Sequence, residues 1–129
     1  MRISLAALVG VAMLVCVGEA QDFKARAIQL HRSTPLIDGH NDYPWALRGI
    51  DPGRDFGKAD ITKSVPALMT DIPRLKAGGV GAQFWSVYVP STMPGSTAVT
   101  ATLEQIEVVH RMTRRWPEVF ELALTAEDV

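Results

Sequence analysis

The stretch "VGAQFWSVYVP", residues 80–90, constrains the fold more than any other part of the chain. It is rich in Val and aromatic residues and ends at Pro90, which marks a strand. Successive side chains of a strand point to opposite faces. Val80, Phe84 and Tyr88 fall on one face, and Trp85, Val87 and Val89 on the other. A strand apolar on both faces belongs to a sheet covered on both sides, and such sheets are usually parallel.

The flanking pattern agrees. Gln21 to Arg32 reads as a short helix, with Asp22 as a cap and Phe23, Ala27 and Leu30 on one face. Thr34 and Pro35 break it. Leu36 and Ile37 open a short buried strand that ends at Asp38-Gly39. Residues 49–65 carry Gly49, Pro52, Gly53 and Gly57 among several charges and read as a long loop. In "TDIPRLKAGG", Thr70 or Asp71 can cap a helix, Pro73 suits its first turn and the two glycines end it. After the turn at Pro94-Gly95, Thr97 to Arg115 reads as a helix. Its apolar stripe is Val99, Leu103, Ile106, His110 and Thr113, widened by Val109 and Met112. Pro117 ends it, "VFELALT" is a third expected strand, and Thr125 with Asp128 is spaced as a capping box. Helices and strands alternating in this way mean βα units, an α/β fold and a parallel sheet. Three parallel strands cannot cover both faces of a stable sheet, and a last helix begins where the chain stops. The expectation is the front piece of a larger α/β protein.

Composition narrows the classes. A chain of 129 residues, 47% hydrophobic and 21% charged, fits one small globular domain. A net charge of −1 gives no electrostatic case for nucleic acid or an anionic membrane surface. Residues 1–20 have Arg2, an apolar run from Leu5 to Val17, then Gly18 and Ala20 around Glu19. That is the order of a secretory signal peptide cleaved after Ala20. The run is shorter than the ~20 apolar residues of a spanning helix. The expected division is a signal peptide, 1–20, and a mature part, 21–129. The only cysteine, Cys16, lies in the leader. The mature part then has no disulfide and no thiolate ligand, and any metal must be held by His, Asp or Glu.

One short pattern carries chemistry. In "LIDGHNDYPW", residues 36–45, His40 and Asp42 sit one residue apart where a strand becomes a loop. In an extended segment both face one point and Asn41 turns away. An imidazole nitrogen and a carboxylate oxygen suit a divalent ion such as zinc. Spacing alone leaves two readings: half of a metal site, or a polar turn shaped by Asp38-Gly39. Asp38 itself is either a partner for the His40 ring or a turn residue. His31 and His110 fall on expected helices and read as helix-face residues. Trp85, Phe84 and Tyr88 read as core, with a pocket wall as the alternative. Gln83 in an apolar strand needs a hydrogen-bond partner if buried. Arg111, Arg114, Arg115, Glu104 and Glu107 read as a solvated helix face. Neither a phosphate loop nor a Gly-x-Ser-x-Gly elbow is present.

"LIDGHNDYPWALR" resembles the N-terminal metal motif of the membrane dipeptidase (renal dipeptidase) family, the M19 metallopeptidases. "GGVGAQFWSVYVP" is similar to that family's second strand, and the likeness runs from about Phe23 through "FELALTAEDV". The resemblance implies the N-terminal portion of a TIM-type (β/α)8 barrel, incomplete in this chain. It implies two Zn2+ ions per complete active site at the C-terminal ends of the strands. His40 and Asp42 match the family residues that bind the first zinc. A bridging glutamate and two histidines of the family fall beyond Val129, and neither Glu121 nor Glu127 stands at the glutamate's position. The implied reaction is hydrolysis of dipeptides by a water or hydroxide between the metals. The expectation is an inactive N-terminal fragment of a longer zinc dipeptidase, since a barrel takes ~250 residues. Two other readings are a different metal-dependent amide or ester hydrolase of the same fold, and a non-catalytic binding protein that keeps the fold. The implied partner is a dipeptide, and the leader implies export. Membrane association and a homo-oligomer of the whole protein are left open.

Overall fold

The computed structural model describes residues 23–129. The expected leader and Asp22 lie outside the described residues. Two units are distinct, residues up to Thr34 and the body from Pro35 to Val129. In the first, residues 23–33 form helix α1, as its apolar spacing requires. Thr34 ends it, donating its backbone N–H to Leu30 O at 2.9 Å.

The body opens with β1 (Leu36–Asn41), which runs directly into α2 (Tyr43–Ile50). The strand is longer than expected and takes in His40. A helix over residues 43–50 was not anticipated, so the long irregular stretch starts at Asp51 rather than Gly49. Pro44 at the second helical position, where no N–H partner is needed, favours this early start. α3 (Ile72–Ala77) begins at Asp71 and ends at Gly78, as the capping signals require. β2 (Val80–Trp85) pairs with β1 in parallel, with Leu36 opposite Val80 and Asn41 opposite Trp85. Gly79 supplies the left-handed turn, φ 73°, that joins α3 to β2. α4 (Gly95–Arg115) follows, and a 3-10 turn (Ala126–Asp128) closes the described chain.

Three expectations are corrected. "VFELALT" forms no ladder, and the sheet among the described residues has two strands. A strand exists only through its partner, and here residues 121–124 stay irregular, with Leu124 81% exposed. The sheet is not covered on both sides: Trp85 packs edge-on against Tyr43 and Phe120, while Phe84 is 64% exposed. α4 buries a different face from the expected stripe, of which Met112 alone is buried. Ala101, Gln105, Val108 and Met112 are buried, whereas Val99, Leu103 and Ile106 face outward. At 100° per residue the two stripes lie on nearly opposite sides of the helix. Small or polar Ala101 and Gln105 hide the buried stripe from a hydrophobicity count. The Gln105 amide is spent on Tyr88 O, 2.7 Å, and Ala101 O, 3.2 Å.

The core is built largely by the irregular stretch between α2 and α3. Phe56, Ala59, Ile61, Val65 and Leu68 pack with Tyr43, Leu47, Ile72, Val108, Met112 and Trp116. Asp71, fully buried, ties this stretch to α3. Its carboxylate accepts from Val65 N and from Arg74 N and Nε, each at 2.9 Å. Arg74 Nη2 donates onward to Val65 O and Leu68 O. These bonds, that of the Arg74 guanidinium foremost, hold the Asp71 carboxyl down at about 2. The charges of α4 are only partly the solvated face expected. Glu104 binds Arg48 and Arg54 (the latter at 3.0 Å), and the Arg111 guanidinium lies 5.5 Å over the Phe56 ring.

Candidate metal and active site

β1 delivers His40, and the start of α2 delivers Asp42. The two side chains meet: His40 Nε2 stands 3.2 Å from Asp42 Oδ1. Both are open to solvent, with 67% and 50% of their side-chain surface exposed.

Asp42 occupies the N-cap position of α2, where an aspartate normally accepts helix N–H groups. It makes no such bond. The neighbouring Asn41 takes that duty instead: its Oδ1 accepts from Tyr43 N at 3.0 Å. Pro44 has no N–H to satisfy. Asp42 is thereby free to point toward His40.

Asn41 turns away from the pair, as alternation requires. Its Nδ2 donates to Thr70 Oγ1 at 2.9 Å and to Gln83 Oε1 at 3.2 Å. Gln83 Nε2 in turn donates to Asp38 O at 3.1 Å. So the polar residue in an apolar strand finds its partners, and the end of β1 is fixed to both β2 and the residue before Asp71. Asp38 serves the backbone rather than the imidazole, accepting from His40 N at 3.2 Å.

One residue of this cluster escaped the sequence reading. Ser86, just past β2, donates its hydroxyl to Asp42 Oδ1. That bond is the main reason the Asp42 carboxyl titrates below its usual range, and the His40 ring adds to it. A serine 44 residues away in the chain leaves no local signal. The sheet brings it there: Ser86 N donates to Asn41 O at 2.9 Å, continuing the ladder.

The donor set is chemically suited to a borderline cation. Two ligands at about 2.0–2.2 Å from one zinc, near the tetrahedral angle, stand about 3.3 Å apart. The observed 3.2 Å serves that arrangement, and it serves a direct hydrogen bond equally well. Among the described residues no three His, Cys, Asp or Glu side chains converge on a point. A cavity of about 190 Å3 opens beside Asp42 and is bounded by residues 67–70. Trp45 and Tyr88 meet edge to face nearby, with ring centroids 5.6 Å apart.

Comparison with known proteins places this sequence in a family. The model of the membrane dipeptidase family, peptidase family M19, matches residues 24–129. Dipeptidase ataJ of Aspergillus terreus is 42% identical over 115 residues, covering 83% of this chain and 28% of that protein. Dipeptidase 3 of Rattus norvegicus is 39% identical over 108 residues, covering 82% of this chain and 21% of that protein. Dipeptidase verJ of Clonostachys rogersoniana is 34% identical over 118 residues, 84% of this chain and 30% of its own length. The chain thus spans between a fifth and a third of these relatives. With the family model matching most of its length, the chain belongs to the membrane dipeptidase family, peptidase family M19.

Proposed function

We propose that this chain is the N-terminal part of an exported, zinc-dependent dipeptidase, with His40 and Asp42 as ligands of one zinc ion. The observation that carries the reading is the freed carboxylate. Asp42 sits at a helix start yet caps nothing, and its oxygen stands 3.2 Å from an imidazole nitrogen at the end of a parallel strand. In α/β barrels that end of the strand is where chemistry is placed. The family membership supports a TIM-type barrel for the whole protein, of which β1 and β2 are the first strands. A catalytic zinc takes three protein ligands and an open position. His40 and Asp42 supply two, so the others come from elsewhere in the whole protein, and residues 21–129 alone hydrolyse nothing.

A bound divalent metal would supply Lewis acidity and lower the pKa of water. This chain's own residues hold and orient. Asn41 fixes the end of β1, Asp42 presents one oxygen beside His40, and both side chains stay open toward the solvent side from which a dipeptide would arrive.

The test is metal content and turnover of the whole protein. The parent should carry two zinc ions and hydrolyse dipeptides. His40→Ala and Asp42→Ala should each lose one zinc and about 100-fold or more in kcat/KM, the scale on which electrostatic stabilisation is lost with a key group. Full zinc content in both variants would sink the reading.

A further inference from the structure

We propose that Ser86 is a positioning residue for the Asp42 carboxylate, which it holds with Oδ1 turned to His40. The inference rests on the reading of His40 and Asp42 as metal ligands.

Ser86 is built for the role. Its backbone N–H donates to Asn41 O at 2.9 Å, so its Cα is set by the sheet ladder, not by a free loop. Its hydroxyl oxygen accepts from Tyr88 N at 3.4 Å, leaving the O–H to point outward. That O–H donates to Asp42 Oδ1, the same oxygen that lies 3.2 Å from His40 Nε2. The carboxylate is half exposed, and among the described residues Ser86 is the group outside its own motif that hydrogen-bonds it. Without that bond the carboxylate would be free to rotate about its side-chain torsions, and each binding event would have to order it again. A hydrogen-bond partner behind a ligating carboxylate typically changes metal affinity by about 10–100-fold.

The hydroxyl also explains why a polar residue interrupts "FWSVYVP" at this point. The Asn41 amide, bonded to Thr70 and Gln83, and the Ser86 hydroxyl, bonded to Asp42, both tie this end of β1 to its neighbours. Asn41 secures the backbone and Ser86 secures the ligand.

The experiment is zinc affinity, measured on the whole protein by competition with a chromophoric chelator, alongside the unfolding midpoint of the metal-free form. Ser86→Ala should weaken zinc binding by about 10–100-fold and leave the metal-free midpoint close to the parent's. Ser86→Thr keeps a hydroxyl in an extended segment and should restore the affinity. If Ser86→Ala binds zinc like the parent while His40→Ala has lost it, the positioning role is wrong and the zinc reading stands. If Ser86→Thr is as weak as Ser86→Ala, the hydroxyl is not the cause and the proposal fails. If His40→Ala binds like the parent, the metal reading beneath it fails instead.

Discussion

At the scale of residues, the order Asn41-Asp42 carries information that composition does not. Asn41 caps the helix and anchors the strand, and Asp42 is left for chemistry. The double variant Asn41→Asp, Asp42→Asn keeps the charge and the residue types. It should fold with a helix start still capped, yet lose the affinity for zinc, which a chelator titration would show. The pairing of His40 with Asp42 was legible because strand alternation is a local rule. The roles of Asp38 and Ser86 were not, because both depend on where the sheet places distant atoms. Asp71 offers a second test. Its carboxyl is held at about 2, below the ordinary 3.8, chiefly by Arg74. A carboxyl with a depressed folded-state pKa stabilises the fold above 3.8, and this contribution is lost as pH falls through about 2. Unfolding followed from pH 6 to about 2 should show a steep acid loss in the parent and a shallower one in Asp71→Asn, whose midpoint at neutral pH is already lower.

At the scale of elements, α4 separates a hydrophobic pattern from a buried one. The sequence centres the stripe on Val99, Leu103 and Ile106 with Met112 at its margin, and the structure buries Met112 with Ala101, Gln105 and Val108. Met112→Ala should destabilise the body by about 2–5 kcal/mol, the usual cost of a large-to-small change in a packed core. Leu103→Ala, at a position 60% exposed, should stay within about 0.5 kcal/mol. Denaturant melts of the two variants decide this, and the reverse order would mean the outward stripe is the packed one. Helix ends were readable because caps and glycines are local signals: Asp71 and Gly78 bound α3 as expected. The third strand was not readable, because a run of Val, Phe and Leu has strand character only when a neighbour offers its ladder.

At the scale of the whole molecule, α/β character followed from alternating helices and strands and parallel pairing also from one strand apolar on both faces, and both are present. What covers Phe84 and Leu124 could not follow, since cover is a property of neighbours. Left alone, the second edge of a two-stranded sheet that exposes Phe84 invites pairing with another copy. Light scattering on residues 21–129 should therefore show self-association that Phe84→Lys reduces. The body also overturns an ordinary equation between irregular backbone and dispensable surface. Residues 51–71 have no helix or strand, yet they supply five core side chains and are tied to α3 through Asp71. For anyone cutting, tagging or lengthening this polypeptide, the longest unstructured-looking stretch is the wrong place. A protease should spare it in the native state, and an inserted epitope there should empty the core, while the same epitope in the exposed turn at Ser91-Thr92 should pass unnoticed.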